Sequence, residues 1–402
     1  MSGYRILYHH RIRADDGQAV HVRELIEALR EEGHEVLECA LVQKTGARPS
    51  AGATASPGAR RGGGLWTKLR LPRVAIELLE IAYGAQGAAR LRRAAHAFRP
   101  HFIYERHALH CDSGLRAAHA LGVPLLLEVN SPFVDEMATL GLLRFPRRAR
   151  ATERRVLAGA DVVFAVTEVL RGICIELGAR AERTVVVPNG AVPARYGEAA
   201  HAAGRALRAK LGIGADAFAL GVVGYMRPWH RLDLAVEMLA RPEFASLHLV
   251  LVGEGPALSE VQAAAERLRV TGRVHVLGAV PGELLPGHVC AFDAALIPAI
   301  NRYASPLKLF DSLAAGVPTL CPKQPNLEEL VVDGRNGVLF VPGDADSLRA
   351  ATARLVVDRD AARRIGERGR SDLVANDWTW RGNAKRVIAA YERLAAGGAQ
   401  RP

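Results

Sequence analysis

The chain has 402 residues, of which 49% are apolar and 24% are charged, and its formal net charge is +11. This composition is typical of a globular protein, and the length favours two domains. No apolar run approaches the roughly 20 residues that cross a bilayer, which argues against a membrane-spanning protein. Aromatic residues make up only 5% and no aromatic-interleaved basic motif occurs, which argues against nucleic acid as a partner.

The cysteines show no Cys-x-x-Cys spacing, and the N-terminal sequence starts with a strand pattern rather than the apolar segment of a signal peptide. We therefore expect a cytoplasmic protein with reduced thiols. Two arginine-rich segments, at residues 58–73 and 144–155, have two interpretations. In the first, they are solvated surface charges. In the second, they attract the protein to an anionic partner, either the inner face of the cell membrane or a phosphorylated acceptor.

The first part of the chain alternates strand patterns with helix patterns. The strand YRILYH precedes the helix pattern AVHVRELIEALREEG, in which Val22, Leu25, Ile26 and Leu29 recur at helical spacing, and the strand HEVLECAL follows. The same order recurs from HFIYE to RTVVVP. Strands separated by helices predict right-handed crossovers and a parallel sheet. Residues 43–64, rich in Gly, Ala, Ser and Pro, predict a flexible insertion.

The pattern restarts after VPNGAVPARYGEAAHAAG, with strands FALGVVGY, LHLVLVG, VHVLG, DAALIP and VPTLCP. The sequence therefore predicts an α/β protein with two facing Rossmann-like, doubly wound parallel-sheet domains, residues 1–200 and 201–375. A last helix, at about residues 376–400, is expected to pack back on the first domain. Ligands of such sheets bind at the carboxyl ends of the strands, so we expect the site in the cleft between the domains.

Cations and glycines follow the strands of the second domain. GYMRPWHRLD, from residue 224, places Arg227, His230 and Arg231 before a helix. VGEGPALSE, from residue 252, places Gly253 and Gly255 before the next helix. Guanidinium groups and helix amides both favour phosphate, so these segments predict an anion site at this edge of the sheet. Either arginine taken alone is equally well explained as a surface charge.

The second half resembles the nucleotide-sugar domain of glycosyltransferase family 4, the retaining enzymes of GT-B fold. The motifs that carry the resemblance are VVVPNGAV, GYMRPWHRLDLAVE, LVLVGEGPALSE, VHVLGAVPGELLP, DAALIPA, SPLKLFDSLAAGVPTL and NLEELVVDGRNGVLFVPGD. In the first half, GQAVHVRELIEALREEGHEV resembles that family's first loop and helix. The resemblance covers nearly the whole chain. It implies a nucleoside diphosphate sugar as co-substrate and no separate cofactor.

The resemblance also implies roles on the donor side of the cleft. The family carries two glutamates eight positions apart. Asp311 stands at the second position, where the carboxylate contacts the donor ribose, and Tyr303 stands at the first. Lys308 and the amides of Leu307 and Lys308 are implied to hold the donor diphosphate. The remaining residues of the implied donor set are Gly17, Gly253, Gly255, Val280 and Ser305.

The phosphate loop departs from the family pattern. Tyr225 and His230 stand where the family usually has Arg and Lys, and Arg227 is the implied substitute. The implied catalytic set is therefore Arg227, His230 and Asp311. Arg227, His230 and Lys308 would stabilise charge on the leaving diphosphate in place of a metal.

The first domain is implied to contribute the acceptor side. Gln18, next to Gly17, matches the loop that approaches the donor phosphates and the acceptor. Four residues lie at strand ends facing the cleft: Glu105, His107, Glu128 and Asn130. Asn130 stands where many relatives have a histidine. Two of these residues have an alternative explanation. His107 is also explained as a strand-end histidine with satisfied hydrogen bonds, and Glu128 as the partner of a nearby cation such as Arg106.

We thus expect a metal-independent retaining glycosyltransferase of polysaccharide biosynthesis. It would move a sugar from a nucleoside diphosphate sugar to a hydroxyl of a glycan, lipid-linked or small-molecule acceptor. Two alternatives remain. The loss of the first glutamate to Tyr303 favours a catalytically weak homologue that acts as a partner in glycan assembly. A nucleotide-sugar epimerase would share the fold, but the segment SPLKLFD argues against it.

Overall fold

The computed structural model describes residues 3–12, 17–40, 50–51 and 72–398. Within these residues two six-stranded parallel sheets, each flanked by helices, form the protein, which confirms the predicted fold class. The predicted flexible insertion at residues 43–64 lies outside the described residues except for Ser50–Ala51. The basic segment at 58–73 lies outside them except for its last two residues.

The first sheet is built by the N-terminal half of the chain. The elements described there are β1 (Arg5–His10), α1 (Gly17–Glu31), β2 (Glu35–Ala40), β3 (Ser50–Ala51), α2 (Arg73–Phe98), β4 (Phe102–Arg106), α3 (Ser113–Leu121), β5 (Leu125–Val129), α4 (Phe133–Thr139), α5 (Pro146–Gly159), β6 (Val162–Ala165), α6 (Glu168–Glu176) and β7 (Thr184–Val186). The strand order is β2-β1-β4-β5-β6-β7, and every pairing in this sheet is parallel.

The second sheet is built by the C-terminal half. Its elements are α7 (Glu198–Lys210), β8 (Phe218–Val223), α8 (Leu232–Leu239), β9 (Leu247–Val252), α9 (Leu258–Arg267), β10 (Val274–Gly278), β11 (Val280–Pro281), α10 (Leu285–Val289), β12 (Ala294–Leu296), α11 (Leu307–Ala315), β13 (Thr319–Pro322), α12 (Pro325–Glu328), β14 (Val338–Phe340), α13 (Ala345–Val357), α14 (Arg359–Ala375) and α15 (Trp380–Gly398). The strand order is β10-β9-β8-β12-β13-β14.

The burial pattern follows the sequence pattern. All five residues of β5 are buried, as expected for a central strand covered by helices on both faces. On α1 the apolar side chains at helical spacing, Val22, Leu25, Ile26 and Leu29, are all buried. The prediction of helices and strands therefore succeeds where hydrophobic periodicity is strong.

The long helix α2 was not among the predicted elements. Two glycines interrupt its helical pattern, and each lets α2 approach the start of α3 closely. A Cβ atom on Gly84 would lie 2.7 Å from Asp112 Oδ1, and one on Gly87 would lie 2.4 Å from Ser113 Oγ. Glycine lowers helix propensity, so the residues that permit this packing also weaken the helix signal in the sequence.

The C-terminal helix α15 packs on the first sheet's side of the molecule. Its buried residues Trp380, Ala384 and Val387 join the core cluster that contains Ile26 and Leu29 of α1. The Trp380 ring also meets the His21 ring edge-on, with 4.8 Å between the ring centroids.

The domain boundaries themselves remain a prediction. Among the described residues no helix combines the length and apolarity that crossing a membrane requires.

This packing predicts a stability effect. Trp380 is only 4% exposed, so Trp380→Ala should lower the free energy of unfolding by about 3–5 kcal/mol, the cost of removing a large buried aromatic ring. Denaturant unfolding measures this change. Val357→Ala is the control, because Val357 is 85% exposed and its truncation should change stability by less than about 0.5 kcal/mol. Equal effects in the two variants would contradict the packing of α15.

Candidate functional site

A loop that carries Arg227 follows β8. The chain passes through Gly224 and Tyr225 into a single 3-10 turn, Pro228–His230. The Arg227 guanidinium lies over the Tyr225 ring, 5.4 Å from its centroid. The Arg227 backbone N–H donates to His230 Nδ1 at 3.3 Å, which leaves Nε2 of a neutral imidazole as the nitrogen that carries the proton.

The glycines after β9 let the next loop pack against this one. A Cβ atom on Gly253 would lie 1.9 Å from the Gly224 carbonyl oxygen, and one on Gly255 would lie 2.1 Å from the Met226 carbonyl oxygen. Both glycines also have positive φ, +138° and +149°, which other residues rarely adopt. The close approach of the two backbones therefore requires glycine at both positions. Their role in donor binding remains a prediction.

Lys308 approaches the same loop from the start of α11. A Cβ atom on Gly224 would lie 3.1 Å from Lys308 Nζ, so the ammonium group lies directly against that glycine. No carboxylate in the described part of the chain pairs with Lys308, and burial lowers its pKa to about 8. The amides of Leu307 and Lys308 have no acceptor within the described residues, as is usual for the first turn of a helix.

His230 lies close enough to both cations to feel their charges. It is buried, and burial, together with the charges of Lys308 and Arg227, lowers its pKa to about 3. His230 is therefore neutral near pH 7 and offers a polar N–H rather than a charge. The loop after β8 and the start of α11 thus bring Arg227, His230 and Lys308 together as the sequence predicts. They form a partly enclosed cluster of a kind that suits an anion, in which no carboxylate from the described part of the chain neutralises Lys308.

Asp311 lies one turn further along α11. Its Oδ1 accepts a hydrogen bond from the Tyr196 hydroxyl at 2.6 Å. Burial raises the pKa of Asp311 to about 6, and the charge of Glu24 adds to this rise, whereas the Tyr196 bond and Arg195 oppose it. The Arg195 guanidinium binds both Glu24 oxygens, at 2.9 Å each. Asp311 keeps one oxygen without a hydrogen-bond partner among the described residues, as a ligand-binding carboxylate would.

Glu128, at the end of β5, is the centre of a buried hydrogen-bond network. Its Oε2 accepts from the Tyr104 hydroxyl at 2.7 Å and faces His21 Nε2 at 2.9 Å, while its Oε1 accepts from Arg106 and from the Asn130 side chain. Burial would raise the pKa of Glu128, but the charges of His21 and Arg106 hold it well below its ordinary value. These bonds match the structural interpretation of Glu128, and its acceptor role remains a prediction.

Asn189, in the segment between the two sheets, joins this network to the second sheet. Its Oδ1 lies 2.7 Å from His21 Nδ1, and its side-chain amide donates to the Ser305 carbonyl oxygen at 2.6 Å. The Asn189 backbone N–H donates to Ser305 Oγ at 3.1 Å. Ser305 is therefore held in place by the connecting segment, two residues before α11 begins.

The remaining predicted residues lie in elements of both halves of the chain. Gly17 and Gln18 form the first two positions of α1, directly after residues that are not described. Val280 is buried in β11. His107 is buried too, and neither of its ring nitrogens has a hydrogen-bond partner within the described structure. Glu153 Oε1 lies 3.7 Å from His107 Nε2, beyond hydrogen-bond distance, so no hydrogen bond supports the satisfied-histidine explanation, and the acceptor role of His107 remains a prediction.

Four residues of the site were not assigned a role from the sequence: His21, Asn189, Tyr196 and Glu136. Asn189 and Tyr196 belong to, or closely follow, the motif VVVPNGAV, which offered a signal. Glu136 had no such signal. Glu136 lies on α4, which follows β5 of the first sheet, and it accepts a hydrogen bond from the hydroxyl of Tyr303 in the second half of the chain. The Tyr303 carbonyl oxygen accepts a further hydrogen bond from Thr167 Oγ1 at 2.9 Å.

A separate buried cluster brings metal-ligand types together. His9, Glu105 and Cys111 have ligand atoms within 4.8 Å of one another. Glu105 Oε1 contacts His9 Nδ1 and accepts from the Gly114 amide at 2.9 Å, so hydrogen bonds already use this oxygen. We assign the cluster no metal, and the metal independence of the reaction remains a prediction.

Comparison with known families covers both halves of the chain. Residues 16–190 match the family described as "Glycosyl transferase 4-like domain", and residues 205–372 match "Glycosyl transferases group 1". One relative is the GDP-mannose-dependent alpha-(1-6)-phosphatidylinositol monomannoside mannosyltransferase of Mycolicibacterium smegmatis, 27% identical over 60% of this chain and 64% of its own length. Another is the D-inositol 3-phosphate glycosyltransferase of Nocardia farcinica, 30% identical over 60% of this chain and 54% of its own length. The chain thus spans less than two thirds of the length of either relative.

Solved structures match along nearly the entire chain. Sucrose-phosphate synthase from Thermosynechococcus elongatus has a TM-score of 0.74 and 20% identity, with 98% of this chain and 100% of that chain covered. HepE from Anabaena, solved in complex with UDP, has a TM-score of 0.69 and 18% identity over the same shares of the two chains. At these identities the likeness shows the fold.

The lowered pKa of Lys308 predicts pH-dependent anion binding. Affinity for pyrophosphate, measured by calorimetry, should fall as the pH rises from 7 to 9.5, because Lys308 loses its charge above about pH 8. Lys308→Arg should flatten this profile, since a guanidinium stays charged over the whole range. Lys323→Arg, at an exposed position, is the matched control and should keep the parent profile. An identical slope in the parent and in Lys308→Arg would contradict the assignment.

Stability gives the same prediction a second measurement. The pKa of Lys308 in the fold is below its ordinary value of 10.5, so its charge lowers stability at every pH below about 8. That cost fades as the pH rises from 8 to 10.5, where only the unfolded chain keeps the proton. Lys308→Met should therefore raise the melting temperature at pH 7 while it weakens pyrophosphate binding. A lower melting temperature would show that the ammonium has a stabilising partner.

Proposed function

The chain belongs to the group 1 glycosyltransferases with a glycosyl transferase 4-like first domain, and from this premise we propose that it is a retaining glycosyltransferase. The donor is a nucleoside diphosphate sugar, and the acceptor is a hydroxyl of a glycan, a lipid-linked molecule or a small molecule. In the reaction the bond between the sugar's anomeric carbon and the diphosphate oxygen breaks, and a bond to the acceptor oxygen forms on the same face. The acceptor proton passes to the departing diphosphate.

The observation that carries the proposal is that Lys308, which pairs with no carboxylate of the described residues, lies beside Arg227 and His230. As the sugar departs, negative charge grows on the diphosphate oxygen, and fixed positive groups nearby lower the barrier. Lys308 and Arg227 provide charge, and His230 and the first amides of α11 provide N–H donors. This arrangement favours diphosphate departure over other chemistry that a Rossmann-like pair of domains could host.

Relatives support a nucleotide sugar as donor but do not select one. The mycobacterial relative is named for GDP-mannose, whereas HepE was solved with UDP. A third relative, the 2-deoxystreptamine glucosyltransferase of Streptomyces kanamyceticus, is 27% identical over 70% of this chain and 74% of its own length. The relatives are named for different acceptors, so the acceptor class stays open.

Arg227→Ala tests the proposed role of this cluster. Turnover of the donor, measured as release of nucleoside diphosphate from GDP-mannose, UDP-glucose and their ADP and dTDP counterparts, should fall by about 10²-fold or more. Arg231→Ala is the control, because the exposed Arg231 pairs with Asp233 at 2.9–3.1 Å and should stay within about threefold of the parent. Equal turnover in the parent and in Arg227→Ala would contradict the role of Arg227. Nucleotide binding without turnover in the parent would favour the catalytically weak homologue.

We also propose that the first domain binds an anionic membrane surface, which would bring the enzyme to a lipid-linked acceptor. Apolar side chains at the start of α2 and after α4, Val74, Leu78 and Leu140, are 44–56% exposed. The two segments are joined, because Arg73 Nε donates to the Leu142 carbonyl oxygen at 2.7 Å and Glu77 accepts from the amides of Arg144 and Phe145. The exposed Arg144, Arg147 and Arg148 follow directly.

Liposome co-sedimentation tests this surface. The parent should bind vesicles with anionic lipid at low salt and release them at high salt, since each arginine near such a surface contributes about 1 kcal/mol and salt screens it. The double change Arg147→Glu with Arg148→Glu should abolish binding. Arg363→Glu with Arg364→Glu, an exposed pair on α14, should leave it unchanged. Equal binding by the two double variants, or none by the parent, would favour a soluble acceptor.

A further inference from the structure

Glu136 makes a contact between the two halves of the protein that the proposed reaction has not yet used. It lies on α4, after β5, and accepts a hydrogen bond from the hydroxyl of Tyr303, which precedes α11. Asn301 Nδ2 also lies 2.9 Å from the Tyr303 hydroxyl. The phenol of Tyr303 thus holds one Glu136 oxygen at the junction of the first and second sheets.

Glu136 has no direct ion-pair partner among the described residues. Its neighbour Asp135 is exposed and forms an ion pair with Arg150, whereas no cation among the described residues lies within ion-pair distance of Glu136. Glu136 is also partly buried. A carboxylate offers about four lone-pair positions. In the described structure the Glu136 carboxylate accepts one side-chain hydrogen bond, from the Tyr303 hydroxyl. The remaining capacity of Glu136 is available to hydroxyl or N–H donors.

Glu136 lies close enough to the cationic cluster to affect it. Burial lowers the pKa of Arg227, and the Tyr225 phenol and the Glu136 carboxylate act in the opposite direction. Tyr303, whose hydroxyl contacts Glu136, precedes α11, and the first turn of α11 carries Lys308, so the carboxylate contacts the segment that leads to the expected diphosphate site. Phosphate oxygens only accept hydrogen bonds and carry negative charge, so a carboxylate repels them. The part of a nucleotide sugar that it attracts is the part with hydroxyl groups.

We propose that Glu136 binds hydroxyls of the transferred sugar and so contributes to donor specificity, and that Tyr303 is the positioning residue that holds its carboxylate. This inference rests on the proposed function, because it assigns the sugar end of a donor whose diphosphate end lies at Arg227 and Lys308. The sugar-binding carboxylate would then come from the first domain, and donor recognition requires both halves of the chain.

Paired ligands separate the sugar from the nucleotide. Calorimetry on the parent, Glu136→Gln, Glu136→Ala and Tyr303→Phe would use GDP against GDP-mannose and UDP against UDP-glucose. The affinity for the nucleoside diphosphate should stay within about twofold in all four proteins. Affinity for the nucleotide sugar should fall by about 10- to 100-fold in Glu136→Ala, the scale of a charge-assisted hydrogen bond, and by less in Glu136→Gln, which keeps one acceptor oxygen.

Tyr303→Phe and Asp135→Asn complete the set. Tyr303→Phe keeps the ring but frees Glu136, so nucleotide-sugar affinity should fall several-fold with no change for the diphosphate alone. Asp135→Asn removes the neighbouring carboxylate of the same helix and should match the parent with both ligands. Melting temperatures of all variants establish that each is folded.

The outcomes distinguish this inference from the proposed function. Equal weakening of nucleoside diphosphate and nucleotide sugar in the Glu136 variants would mean that the contact only joins the domains, and it would overturn the inference. So would unchanged donor affinity with a raised KM for the acceptor, which would move Glu136 to the acceptor side. Parent protein that binds neither nucleotide nor nucleotide sugar would overturn the proposed function and this inference together.

Discussion

The segment between the two sheets, residues 188–196, sets the geometry on which the site depends. Its Asn189 contacts His21 of the first sheet's α1 and Ser305 of the second half. Its Tyr196 hydroxyl binds Asp311 on α11. A connection between domains is ordinarily a place where few contacts cross and relative motion is easy. Here the connection is itself bonded to both domains, so a rotation about it would break hydrogen bonds that place Ser305 and Asp311.

Charged side chains held in this partly buried site lower the stability of the fold, but they are also the groups that can bind a charged ligand. Burial favours the neutral form of both side chains: it lowers the pKa of Lys308 to about 8 and raises the pKa of Asp311 to about 6. A partly enclosed ammonium lowers stability when no carboxylate pairs with it, as holds for Lys308 among the described residues, and its presence is explained if a ligand supplies the negative charge. The backbone supports this arrangement, because Gly224, Gly253 and Gly255 let the loops after β8 and β9 meet beside Lys308 without side chains between them.

The sequence predicted the fold and the parts of the site that lie in local motifs. Hydrophobic periodicity identified α1 and the central strands, strand-end cations identified Arg227 and His230, and the family resemblance added Lys308, which the structure brings together with them. Contacts between distant positions could not be predicted in this way. His21 and Asn189 are 168 residues apart, and Tyr303 and Glu136 are 167 residues apart, so no spacing in a single sequence reports either pair.

His230 shows a different reason why a sequence is insufficient. Its position in a strand-end loop predicts that it faces an anion, but its charge depends on burial and on neighbours from two separate segments. With Arg227 and Lys308 beside it, a protonated imidazole would be a third positive charge in a small volume. The structure instead leaves it neutral, with Nδ1 accepting from the Arg227 amide and Nε2–H as a donor.

The resulting distribution of charge matches the polarity of a nucleotide sugar. Cations and N–H donors gather at the loop after β8 and the first turn of α11, where a diphosphate would be stabilised. Asp311 lies one turn along α11 from Lys308, and Glu136 binds the hydroxyl of Tyr303 just before α11. Carboxylates attract hydroxyls and repel phosphate. A ligand with a diphosphate between two polyhydroxyl groups, ribose and sugar, offers phosphate to the cations and hydroxyls to the carboxylates. A nucleotide that ends in its phosphates would leave one carboxylate without a hydroxyl partner. The arrangement therefore favours a diphosphate that joins ribose to a sugar over a free nucleotide.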